Sequence, residues 1–116
     1  VKLKPQREKE IETQILNVLK LKGLFFFKNH TTGIYDPVKK VFRKKKNKYA
    51  INGVSDILGC VDGRFVAIEV KSKNGKTTLD QKIFQNFINE NGGLAFTTNN
   101  LKHCLDVLNE YLDLNL

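Results

Sequence analysis

Apolar positions recur along the chain with two different periods. Ile11, Ile15, Val18 and Leu19 return at helical spacing, and Gly23 follows them, so the pattern predicts a helix over 6–22. Leu24-Phe25-Phe26-Phe27 is a continuous apolar run, the signature of a strand buried on both faces. Residues 29–33 read as a turn, and 34–52 as a strand or ribbon interrupted at Pro37. Two further strands, 56–61 and 64–71, flank Asp62-Gly63, the strongest short hairpin signal. A polar turn (72–76) leads to Thr78, which opens a helix with Ile83, Phe84, Phe87 and Ile88 on one face, ending near Gly92-Gly93. Residues 94–97 form another strand. Leu101, Leu105, Leu108 and Leu112 mark a last amphipathic helix. The order α-β-β-β-α-β-α predicts an α/β fold, a mixed central sheet flanked by helices.

Length and charge narrow the class. The 116 residues suit one domain over 1–116, and 41% apolar residues supply a core. No apolar run approaches the roughly 20 residues of a spanning helix. The basic N-terminus lacks a hydrophobic signal core, which points away from secretion. Cys60 and Cys104 have no paired-motif spacing, which argues against a disulfide framework or a zinc site and fits a reducing, intracellular setting. Net charge is +8, and seven cations (Lys39, Lys40, Arg43, Lys44, Lys45, Lys46, Lys48) lie within ten residues. Without them the chain would carry about +1. So local an excess is the footprint of a polyanion, nucleic acid first, with a solvated surface loop as the plain alternative. Lys73, in the turn after the hairpin, is a further candidate contact.

The hairpin brings chemistry together. A two-residue loop at Asp62-Gly63 pairs Val61 with Arg64, and the same register sets Asp56 opposite Glu69. Opposed residues share a face, with Cβ atoms about 4.5–5.5 Å apart. Lys71 lies two residues beyond Glu69 on that face. Two close carboxylates need a positive charge between them, either Lys71 or a hard divalent cation. The alternative is a cross-strand ion cluster at a solvated edge, but the apolar character of both strand faces argues for a central, covered hairpin. On a wheel of about 100° per residue, Glu12 falls inside the apolar stripe of the first helix, between Ile15 and Leu16. A core-facing carboxylate needs a partner, and a metal would supply one. Glu8, one turn earlier, has an easier route to solvent. Gln81 stands fourth in a Thr78-x-x-Gln81 capping box, which accounts for it without catalysis. His30 and His103 are isolated, and both cysteines read as small buried apolar side chains.

At these residues the sequence resembles the PD-(D/E)xK nuclease superfamily, and more narrowly the virus-type replication-repair nuclease (VRR-NUC) domain. The matching pieces are Glu8 and Glu12 on a leading helix, Gly53-Val54-Ser55-Asp56-Ile57-Leu58-Gly59, Ile68-Glu69-Val70-Lys71, Thr78-Leu79-Asp80-Gln81 opening a helix, and Gly92-Gly93 before a strand. Together they span nearly the whole chain, with 34–50 the weakest part. The resemblance implies a restriction-endonuclease-like αβββαβ core and cleavage of DNA phosphodiesters with Mg²⁺ or Mn²⁺. It implies Asp56, Glu69 and the Val70 carbonyl as metal ligands, Lys71 as the residue orienting or activating water, and Gln81 as a catalytic-site residue. VRR-NUC spacing favours Glu8 as the leading-helix acid, related archaeal Holliday-junction resolvases favour Glu12, and the wheel prefers Glu12. Ser55 replaces the usual Pro before the Asp. The implied protein is a structure-selective endonuclease, of the Holliday-junction-resolvase kind, acting as a homodimer on branched or duplex DNA, and compatible with a virus or phage origin. A non-catalytic nucleic-acid-binding module of the same fold and an RNA-processing nuclease are the alternatives.

Overall fold

Acidic side chains at Glu8 and Glu10 favour a helix start, since they meet the positive end of the helix dipole. α1 accordingly spans Glu8–Leu21, two residues later than the sequence pattern, and Gly23 ends its turn at φ +73°. The computed structural model describes residues 4–30, 34–43 and 48–116, with backbone only over 34–36 and 41–43. After α1 come β1 (Phe25–Lys28), β2 (Ile34–Asp36), β3 (Val41–Arg43), β4 (Ile57–Val61), β5 (Arg64–Val70), α2 (Leu79–Glu90), β6 (Leu94–Thr98) and α3 (Leu101–Leu112).

Four strands form one sheet in the order β1-β4-β5-β6. The first three are antiparallel and β6 joins β5 in parallel, reached through α2, so the sheet is mixed as expected. The hairpin register holds: Val61 pairs with Arg64 and Ile57 with Ile68. Asp62 (φ +49°) and Gly63 (φ +81°) both have positive φ, as a type I′ turn requires. The region 34–52 contributes a separate two-stranded ribbon, β2 with β3, whose turn contains Pro37.

One sheet face carries the main core. Ile57, Val61, Val66, Ile68, Val70 and Leu94 pack there against Ile11, Ile15 and Leu19 of α1 and Cys104, Leu108 and Leu112 of α3. Arg64 ties the start of β5 to the end of α3 through a 2.8 Å bond to the Tyr111 carbonyl. The opposite face is covered by α2, where Phe84 meets Ala67 and Ala95, with Val54, Leu58 and Ile88 beside them.

Two expectations fail, for one reason. β1 is not buried on both faces: Phe26 packs on the core, but Phe25 and Phe27 are exposed. Cys60 is exposed as well, while Cys104 is buried. β1 is an edge strand, and the single helix on the second face covers Ala67 and Ala95 of β5 and β6. The row Phe25–Cys60–Phe65 therefore remains open.

Candidate functional site

Asp56 precedes β4, one step past the last ladder pair, Ile57 with Ile68. At that step its side chain replaces the ladder: Oδ2 accepts the Val70 N–H at 2.9 Å, and its own carbonyl accepts the Asn29 N–H at 2.7 Å. The carboxylate is thus fixed at the end of the central hairpin, beside Glu69. Glu69 is 3% exposed. Its Oε1 accepts the Gln81 Nε2 amide at 2.8 Å and lies 3.6 Å from Lys71 Nζ. Its Oε2 is buried and has no hydrogen-bond partner among the described residues. Burial, and then the neighbouring Asp56 charge, push the Glu69 carboxyl up to about 8, while Lys71 pulls the other way.

Gln81 both completes the capping box and reaches Glu69. Thr78 Oγ1 accepts the Gln81 N–H, and Gln81 Oε1 accepts the Thr78 N–H, completing the capping box. The same side chain then donates its amide to Glu69. The first turn of α2 is seated by Gly53. A Cβ there would lie 2.4 Å from the Asp80 carbonyl carbon and oxygen and 2.6 Å from the Gln81 nitrogen, and Gly53 has φ +79°. Gly53→Ala is expected to destabilise the protein by about 3 kcal/mol, from the clash together with left-handed strain. A thermal melt measures this, and a shift of under about 0.5 kcal/mol would contradict the close packing.

The two candidate acids of α1, Glu8 and Glu12, go to different places. Glu12 is buried on the core-facing stripe, as the wheel indicates, and its partner is Lys28 Nζ at 3.0 Å. A lysine thus meets the need that the sequence reading assigned to a metal. Glu8 Oε1 accepts the Ser72 N–H at 3.3 Å, beside Lys71. Among the described residues, no three His, Cys, Asp or Glu side chains converge as a metal cage. The carboxylate pair is Asp56 with Glu69. A divalent cation suits that pair, because it would both neutralise the repulsion and give Glu69 Oε2 a partner. Ser55, in place of the usual Pro, is buried with its hydroxyl unpartnered among the described residues.

The neighbourhood holds residues the sequence did not single out. Thr97 pairs with Glu69 across β5 and β6, and its hydroxyl is bonded to Gln85 Nε2 and to Thr77. A cleft of about 330 Å³ opens beside Lys71, lined also by Ser72, Gly75, Thr97, Asn100 and His103. His103 bonds through Nδ1 to the buried Thr98 hydroxyl at 2.7 Å. Only the parallel β5–β6 pairing brings these residues here, and nothing local in the sequence signals it. His30 is exposed.

Of the basic candidates, Lys39 and Lys40 are exposed in the turn between β2 and β3, and Lys73 is exposed after β5. Lys48 is exposed with its Nζ 5.0 Å above the Tyr49 ring. Lys44, Lys45, Lys46 and the Arg43 side chain lie outside the described residues. No helix among the described residues is long and apolar enough to cross a membrane.

No protein-family model matches the chain, and no curated protein does. A solved structure described as a VRR_NUC domain protein is similar, at 18% identity and a TM-score of 0.72, over 97% of this chain and 93% of that one. At that identity the likeness is one of fold. The chain therefore has a VRR-NUC-like α/β fold, with the Asp56–Glu69–Lys71 constellation at the end of its central hairpin.

Proposed function

We propose that this protein is a Mg²⁺- or Mn²⁺-dependent nuclease that hydrolyses DNA phosphodiester bonds, cutting branched or duplex DNA as a pair of copies. The observation that carries the proposal is Glu69: a buried carboxylate beside Asp56, with one oxygen held by Gln81 and Lys71 and the other without a hydrogen-bond donor among the described residues. A pure binding module gains nothing from a buried acid pair in which the second charge is costly to form, whereas a bound cation would remove that cost.

Asp56 and Glu69 would hold the ion, with the Val70 carbonyl completing the set. The bound ion would polarise the scissile phosphate and lower the pKa of a water. The chain's own residues do the rest. The Val70 N–H orients Asp56, and Gln81 fixes the rotamer of Glu69 from a capped helix end. Lys71, its side chain largely buried and 3.6 Å from Glu69 Oε1, would place a positive charge beside the attacking water and the phosphate. The Ser72 N–H holds Glu8 at the rim. The basic run from Lys39 to Lys48, with Lys73, would take backbone phosphates.

Incubation of the protein with labelled linear duplex, flap and four-way-junction DNA, and with RNA of matching structure, tests this. Cleavage is expected with Mg²⁺ or Mn²⁺ and none with EDTA. Binding without cleavage under every metal would leave the non-catalytic module standing, and cleavage of RNA alone would move the substrate class.

A further inference from the structure

The second sheet face is only half covered, and its open half begins at the carboxylates. Successive cross-strand rows on one face are two residues, or about 7 Å, apart. Glu69 pairs with Thr97 in the row that also holds Asp56. The next row on that face is Phe27, Leu58, Ala67 and Ala95, and the one after it contains Phe25, Cys60 and Phe65. α2 covers the β5–β6 half. Its Gln85 and Asn89 bond to Thr97 and Ala95 of β6, and at about 100° per residue Ile83 and Phe87 fall on the opposite flank, toward β4 and β1. The uncovered half is a trough with Phe25, Phe27 and Phe65 in its floor and Phe87 in its wall. Phe25 is 66% exposed, Phe87 62%, Phe27 47% and Phe65 42%. The Phe25 and Phe27 rings lie 5.8 Å apart and are tilted by 46°, so they are not stacked on each other.

We infer that this trough stacks the unpaired bases of a single-stranded DNA segment beside the scissile phosphate. A contiguous exposed apolar patch marks a binding surface, and three features choose its occupant. The first is chemistry: the patch is built mainly of aromatic rings, and rings on an open sheet face stack two or three unpaired bases. The second is position, since Phe27 lies one row from Asp56 and Glu69. The third is charge. The Asn29 N–H bonds to the Asp56 carbonyl, so the chain from 30 to 55 is a loop closed at the head of the trough, and it carries all seven cations of the basic run. A charge-free aromatic floor for bases with cations tethered beside it for phosphates is the make-up of a single-strand surface. An intact duplex cannot use the floor, because its bases are already stacked on one another. The inference rests on the nuclease reading for its ligand, DNA, and deepens it: cutting would be directed to sites where an unpaired strand adjoins the scissile bond.

Binding measured in EDTA, where nothing is cut, separates this inference from the nuclease reading. A chain that binds strands by their bases but cleaves nothing under any metal fails that reading alone, and a chain that cleaves but ignores the bases fails this inference alone. The probes are a labelled single strand of about ten nucleotides and an abasic strand of the same length, which keeps every phosphate. By fluorescence anisotropy the wild type should bind the strand with bases at least about thirtyfold more tightly than the abasic one, as two stacked bases require. Phe25→Ala with Phe27→Ala should weaken binding of the strand with bases by about tenfold or more. Its affinity for the abasic strand and its salt slope should stay as in the wild type, because no phosphate contact is lost. Should the double variant fail to fold, the wild-type comparison of the two strands decides alone. An affinity indifferent to the bases, or to the two rings, overturns the inference. If light scattering then shows that the same variant splits a dimer, the face belongs to a second copy of the chain.

Discussion

Glu69→Gln should abolish cleavage and, without metal, make the protein more stable at neutral pH. Gln keeps the size of Glu and can still offer an oxygen to Gln81, but it brings no charge to a cation. Loss of a charge-stabilising group at the reacting centre costs about a hundredfold to a thousandfold in rate. The stability gain follows from the raised pKa. In the folded chain the Glu69 carboxyl titrates at about 8, against an ordinary 4.5. Below about pH 4.5 it is protonated whether folded or not, and it affects stability little. Between 4.5 and 8 the folded chain holds a proton that the unfolded chain has lost, so stability drains as pH rises. Above 8 the whole penalty is in place, on the order of 5 kcal/mol. Gln removes the titration and with it the slope. Melts of the metal-free wild type from pH 5 to pH 8.5 should fall steeply, and those of Glu69→Gln should not. Added Mg²⁺ should stabilise the wild type more as pH rises, because the ion competes with that proton, and should do nothing for the variant. Asp56→Asn should also lose cleavage, yet keep part of the pH slope, because burial outweighs Asp56 among the causes of the shift. Parallel pH dependences for wild type and Glu69→Gln would show that Glu69 is not the strained group.

Much of this site was legible because one local rule generated it. Asp62-Gly63 fixes a type I′ turn, the turn fixes the register, and the register sets Asp56 beside Glu69. No long-range information enters that chain of steps. The capping box was equally local, since Thr78 and Gln81 are three residues apart on one turn. What the box did not disclose was that the Gln81 amide still had a free donor, nor that the α2 crossover would aim it at Glu69. Glu12 shows the limit from the other side. The wheel placed its carboxylate on the buried stripe, but its partner comes from β1 by tertiary packing, and a helical wheel knows nothing of Lys28. Leu24 to Phe27 misled because an apolar run reports affinity for cover and not the presence of it. At the edge of a sheet faced by one helix, the same four residues leave two aromatic rings in the open.

Replacing Lys40, Lys44, Lys45 and Lys46 with Gln should flatten the salt dependence of DNA binding by about three to four units of log affinity per log salt. Each lysine or arginine on a duplex phosphate releases condensed counterions, and each adds roughly 0.9 to that slope. The seven cations between Lys39 and Lys48 carry nearly all of the chain's net +8, so four of them make up half of its excess charge. Those described by the structure are exposed and lie in or beside a two-stranded ribbon that is separate from the central sheet. Affinity should therefore fall equally for every DNA sequence, because phosphates carry no base information. Stability should move by less than about 0.5 kcal/mol, since exposed charges contribute little to folding. The cleavage rate at saturating DNA should persist, because Asp56, Glu69 and Lys71 lie at the end of the β4–β5 hairpin. Fluorescence anisotropy from about 50 to 200 mM salt reads the slope directly. An unchanged slope would make the run a solvated loop and shift the search for phosphate contacts to Lys73 and the cleft beside Lys71.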